Sequence, residues 1–122
     1  MNYFEELKKT KVDDNVKKHF QYQLRKNGLP LLTIDESVFL KEISELNLIK
    51  ANNVTPKDLE KKQSTLIGKY LIFMLNNLEI KKLINIKSHQ DNHKEISINI
   101  TDYGINLYNK ISKFQIFSKD LD

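Results

Sequence analysis

Cysteine is absent from the 122 residues, which excludes disulfide bridges, cysteine-ligated zinc and thiol catalysis together. Proline (two) and glycine (three) are scarce and no low-complexity stretch occurs, so the composition is not that of a disordered or linker-rich chain. Long apolar runs are missing as well. The longest, Tyr70 to Leu75, is six residues, and a membrane span needs roughly 20. The opening Met1-Asn2-Tyr3-Phe4-Glu5-Glu6 is too polar for a signal peptide. A cytoplasmic protein without a membrane partner is expected.

The composition, 39% hydrophobic and 30% charged, suits one globular domain over 1–122 with a modest core. The formal net charge is +4, and its distribution is uneven. Residues 57–94 carry eight lysines against four acids, whereas 31–56 carry two basic and four acidic side chains. Such an excess is the electrostatic footprint of a polyanion partner, or simply a solvated lysine-rich face.

Periodicity gives the elements. Val16, Phe20 and Leu24 form a helical stripe, started by Asp13 or Asp14 and stopped by Asn27-Gly28. Tyr3, Phe4 and Leu7 indicate an earlier turn or a longer first helix, and Leu29-Pro30 an extended connector. Thr33-Ile34-Asp35-Glu36 is a capping box, opening a helix whose buried face is Val38, Phe39, Ile43 and Leu46. Asn47 is read as its terminator and Leu48-Ile49 as a very short strand. Thr55-Pro56 restarts a short helix, proline standing where a missing amide costs nothing. Ser64 or Thr65 caps the next, which runs to about Glu79 with a core face of Ile67, Leu71, Leu75 and Leu78, and with Thr65, Gly68, Lys69, Ile72 and Asn76 mostly on the other side.

The period then changes to two. Leu83 to Lys87 and Glu95 to Ile100 read as half-buried strands, with Ser88 to Lys94 as a polar hairpin tip. Thr101-Asp102 opens a last helix with Ile105, Tyr108, Ile111 and Phe114 as its stripe. Two helices joined by a tight turn and followed by a two-stranded ribbon are the order of a winged helix-turn-helix. The fold class predicted is mainly α (α+β), with a two- or three-stranded wing. The second helix of the pair is narrow enough for the major groove, where base edges are distinguishable, and its amino end directs backbone amides at phosphates.

The sequence resembles the winged-helix MarR family, and particularly its staphylococcal accessory regulator (SarA-like) branch, over roughly 30–117. The likeness is carried by the threonine-led helix at Thr33, by Lys62-Gln63-Ser64, and by Ile100-Thr101-Asp102-Tyr103-Gly104 after the wing. It implies a homodimer built from the terminal segments 1–28 and 102–122. It also implies DNA binding by 55–101, and a wing that enters an A·T-rich minor groove through an aspartate-x-arginine pair. Here that pair falls on Asn92 and Lys94, beside Asp91 and His93, and the wing has no arginine. Lysine cannot copy arginine's planar fork.

The resulting candidates for double-stranded DNA contacts are Lys62, Gln63, Ser64, Thr65, Lys69, Tyr70 and Asn76 on or ahead of the recognition helix. Lys87, His89, Asn92, His93 and Lys94 are those of the wing. Each has a plainer reading. Ser64 and Thr65 cap a helix without DNA, Lys69 and Asn76 are solvated, and Tyr70 is core. Core packing is the expected role of Leu71, Ile72 and Phe73, with contact between Ile72 and a thymine methyl as the alternative. His89 and His93 flank Asp91 but lack a third ordered ligand, so no metal is assigned. No nucleophile elbow or glycine-rich phosphate loop occurs, so neither catalysis nor a cofactor is expected. The competing class is a winged-helix protein-interaction module, such as a plasmid or phage partition adaptor. An exposed apolar patch beside the recognition helix would mark it, where a contiguous positive face would mark DNA binding.

Overall fold

The computed structural model describes residues 2–50, 54–62, 68–89 and 92–117. Helices α1 (Tyr3–Lys8), α2 (Asp14–Lys26), α3 (Ile34–Lys50), α4 (Pro56–Lys62) and α5 (Gly68–Ile80) precede strands β1 (Ile84–His89) and β2 (Asn92–Ile100), and α6 (Asp102–Ile111) follows. The strands pair antiparallel, and Val54 adds a single bridge to Ile98 rather than a full third strand.

Local chemistry explains most boundaries. The side chains of Asn2 and Asp13 accept the first-turn amides of Glu5 and Val16, capping α1 and α2. Gly28, at φ 65°, ends α2 with Leu29 N–H returning to the Leu24 carbonyl at 2.9 Å. The capping box of α3 is reciprocal: Glu36 N–H donates to Thr33 Oγ1 at 3.0 Å and Thr33 N–H to Glu36 Oε1 at 2.9 Å.

Helix α3 is the centre of the molecule, packing against α4, α5, α6 and β2. Phe39, Leu40, Ile43 and Leu46 are buried, and so are Glu36, Lys41 and Glu42, because neighbours surround the helix on several sides. Two sequence expectations fail at its end. Asn47 does not terminate it, and Leu48-Ile49 is helical and exposed rather than a strand. Asn47 instead clips the wing, accepting Ile100 N–H at 2.8 Å and donating to the Ile98 carbonyl at 3.2 Å. A side chain that satisfies a sheet edge in this way fixes α3 to β2.

Helices α1 and α2 meet the end of α6 and the segment after it. Tyr3 packs on Phe4, Phe20 and Phe114, and Phe4 stacks on Tyr108. Tyr3 N–H donates to the Ser112 carbonyl at 2.9 Å, while Gln23 both donates to and accepts from the Gln115 backbone at 2.9 Å. Burial pushes the Tyr3 phenol up to about 12, and its hydroxyl has no partner among the described residues. In α6, Leu107 joins Ile111 and Phe114 in the core, whereas Ile105, expected in the stripe, is exposed.

Candidate nucleic-acid interface

Helix α4 starts at a second reciprocal cap. Thr55 N–H donates to Asp58 Oδ2 at 2.9 Å, and Asp58 N–H reaches Thr55 Oγ1 at 3.4 Å. Lys50 Nζ adds a 2.6 Å contact to Asp58, so the acid ties the end of α3 to the start of α4. Burial alone would raise the Asp58 carboxyl. The hydrogen bonds from Lys50 and Thr55, with the Lys50 charge, together hold it below its ordinary value.

Helix α5 buries Leu71, Leu75 and Leu78, as spacing leads one to expect, and Met74 in addition. Its far end is locked. Leu83 N–H returns to the Leu78 carbonyl at 3.0 Å and Lys82 N–H to the Glu79 carbonyl at 2.9 Å. This is a Schellman closure with lysine, not glycine, at the left-handed position (φ 65°). Lys81 Nζ bonds both oxygens of buried Glu36, at 3.2 and 3.0 Å, and Glu79 accepts Ile86 N–H at 3.0 Å. The helix is thus held to α3 at one point and to the wing at another.

The opposite face of α5 is open. Tyr70 is 44% exposed, Ile72 57%, Phe73 58% and Ile80 78%, and Asn76 is exposed among them. The core-packing expectation holds for Leu71 but fails for Ile72 and Phe73, and the core reading of Tyr70 fails with it. A continuous apolar run along one helix, such as Tyr70 to Leu75, cannot say which side a neighbour covers. Here the neighbours cover only the Leu71–Leu75–Leu78 side.

The wing continues further than expected. Ile84 pairs with Ile100, Ile86 with Ile98 and Lys87 with Ser97, before the register shifts between Ser88 and His89 so that His89 faces Asn92. His89, Asn92, His93 and Lys94 therefore lie on strands rather than in the tip expected over Ser88 to Lys94. Lys87 is exposed, as Lys57, Lys61 and Lys82 are. Lys62 closes α4 and Lys69 lies in α5; their side chains, like those of His89, Asn92, His93 and Lys94, lie outside the described residues. Gln63, Ser64, Thr65, Ile67 and Asp91 fall wholly outside them.

Behind the wing, Thr101 organises the entry to α6. Its Oγ1 accepts Gly104 N–H at 3.0 Å and donates toward the carbonyls of Lys82 (2.8 Å) and Leu83 (3.0 Å). A Cβ at Gly104 would stand 2.2 Å from the Leu83 carbonyl oxygen and 2.8 Å from Ile100 Cγ1. The Thr101-Asp102-Tyr103-Gly104 stretch thus locks the last helix onto the junction of α5 and β1. Only glycine permits that approach.

No protein-family model matches the sequence, and no curated protein matches it. Solved structures do match in shape. The MepR–DNA complex of Staphylococcus aureus superposes with a TM-score of 0.61 at 21% identity, over 87% of this chain and 68% of that one. A mutant MepR bound to an oligodeoxyribonucleotide gives 0.58 at 21% identity, over 88% and 70%. A mutant MarR of Escherichia coli complexed with operator DNA gives 0.58 at 18%, over 79% and 62%. The mainly helical chain with its two-stranded wing has the winged helix-turn-helix fold of these MarR-family structures. Among the described residues no helix is long and apolar enough to cross a membrane.

Proposed function

We propose that the chain is a sequence-selective, double-stranded DNA-binding transcriptional regulator that acts as a homodimer in the cytoplasm and performs no catalysis. Helix α5 enters the major groove, and the wing lies on the backbone or in an A·T-rich minor groove. One observation carries the reading. In a fold shared with proteins solved on DNA, α5 is seated by four buried residues and locked at its far end, while its opposite face is exposed among the described residues. Tyr70 and Asn76 lie on the side away from the core, and Lys69 shares their helix. Lys62, Gln63, Ser64 and Thr65 precede it in sequence, where amides and hydroxyls meet phosphates. Lys87, His89, Asn92, His93 and Lys94 supply the wing.

Dimerisation is assigned to 1–28 and 102–122. The junction of α1 with the end of α6 and the exposed Tyr22, Tyr103, Ile105 and Phe117 support it. The Thr101–Gly104 lock sits at the residues that carry the SarA-like resemblance and supports placing the chain in that branch.

A protein-interaction role is the second reading, favoured by the exposed Ile72, Phe73 and Ile80. Fluorescence anisotropy against an A·T-rich and a G·C-rich duplex at two salt concentrations separates the two. Salt-dependent binding that differs between the duplexes is expected. Absence of binding at low salt overturns the DNA reading in favour of a protein partner. Salt-dependent binding indifferent to sequence removes selectivity.

A further inference from the structure

Helix α5 is an odd surface for a solvated protein. Ile72 and Phe73 are both more than half exposed, and Asn76 stands exposed four residues from one and three from the other. At those spacings side chains are neighbours, with Cβ atoms about 5–6 Å apart. The three therefore form one strip: apolar, amide, apolar.

The elements that flank the strip in sequence expose more lysines than acids. Lys57, Lys61, Lys82 and Lys87 are exposed. Of the described acids in the same stretch, Asp58 is buried under Lys50 and Thr55, Glu60 is half-buried, and Glu79 is exposed but accepts the Ile86 amide. An apolar strip meant for a protein core gains nothing from such a rim, whereas a polyanion does. In the major groove only thymine presents a methyl group, and adenine, its partner, presents the donor and acceptor that an asparagine amide matches.

Building on the DNA-binding reading above, we infer that Ile72 and Phe73 read thymine C5-methyl groups in the major groove, with Asn76 pairing to adenine between them. Selectivity for A·T pairs then resides in α5 itself and does not depend on the wing. It also offsets the missing wing arginine. The methyl lies only in the major groove, so the contribution of α5 separates cleanly from minor-groove shape reading by the wing.

The test uses the full chain. A duplex is selected from a random pool and then resynthesised with deoxyuridine in place of thymidine, which deletes the methyls and leaves the minor groove and base pairing unchanged. Affinity is expected to fall about fourfold for each methyl in contact, from the transfer free energy of one methyl-sized group. Ile72→Ala and Phe73→Ala are expected to weaken binding to the thymine duplex and to erase part of the thymine–uracil difference. Both side chains are exposed, so circular dichroism and melting should match the parent. Equal affinity of the parent for the two duplexes overturns the inference and leaves DNA binding standing. Failure to select any duplex overturns both, and assigns the strip to a protein partner.

Discussion

Replacing Gly104 with alanine tests whether α6 is seated as described. The added methyl would lie 2.2 Å from the Leu83 carbonyl oxygen, well inside contact distance, and 2.8 Å from Ile100 Cγ1. Ile100 can shift its side chain, but the Leu83 carbonyl cannot move freely. It accepts Thr101 N–H and Thr101 Oγ1, each at 3.0 Å, and belongs to the turn that closes α5. Relief therefore requires either backbone displacement, typically costing about 1–3 kcal/mol, or loss of those two bonds at about 1 kcal/mol each. Against this, alanine gains about 1 kcal/mol of helix propensity over glycine. The net expectation is a loss of about 1 kcal/mol, at most about 2, which for a domain of this size lowers Tm by roughly 3–8 °C. Thermal and urea melts followed by circular dichroism measure it, with the exposed Asn106→Ala on the same helix as a control expected to be neutral. A Gly104→Ala protein that melts at or above the parent temperature refutes the close approach.

Three further substitutions follow from the same geometry. Lys82→Gly removes a side chain from a left-handed residue and is expected to stabilise by about 0.5–1 kcal/mol; an unchanged urea midpoint would contradict the strain. Asp58→Asn weakens the α4 cap and the Lys50 pair and is expected to cost about 1–2 kcal/mol near neutrality. Because the folded Asp58 carboxyl lies below its ordinary 3.8, its contribution is present above that pH and fades as pH falls below it. Parent and variant stabilities should therefore converge in acid, and parallel curves would reject the assignment. Tyr3→Phe deletes an unpartnered buried hydroxyl and should be neutral or stabilising by up to about 1 kcal/mol. With the folded phenol at about 12 against 10 unfolded, the parent loses stability as pH rises above 10, and the variant should lose less. A clearly destabilised variant would mean that the hydroxyl has a partner.

What could be read before folding was local. The Thr33–Glu36 box, the Asp13 cap, the Gly28 stop and the Thr101 start all join residues within a few positions, so residue type and spacing suffice. Asn47 shows the limit. Its partners are 51 and 53 residues away on β2, and no short-range signal distinguishes a strand clip from a helix end. Leu48-Ile49 suffered the same way, since two apolar residues fit a strand or a helix turn equally. Lys82 carries no turn signal, because the left-handed position is forced by the tertiary closure onto Leu83. Gly104 was visible only through resemblance, and its reason, a carbonyl from another element, appears only in three dimensions. For the interface, spacing placed Asn76 and the buried face of α5 correctly. Spacing also put Ile72 on the outer side; what failed was the preference for core packing of Ile72 and Phe73, since exposure depends on which elements cover a helix.

The central claim is that α5 and the wing together hold DNA, and the salt dependence of binding by the parent and Lys87→Ala tests it most directly. Lys87 is exposed on β1. If it neutralises a phosphate, the variant binds more weakly by a similar factor on every sequence, and the slope of log affinity against log salt falls by about one. A variant with the parent's affinity and slope would remove the wing from the interface and contradict the account.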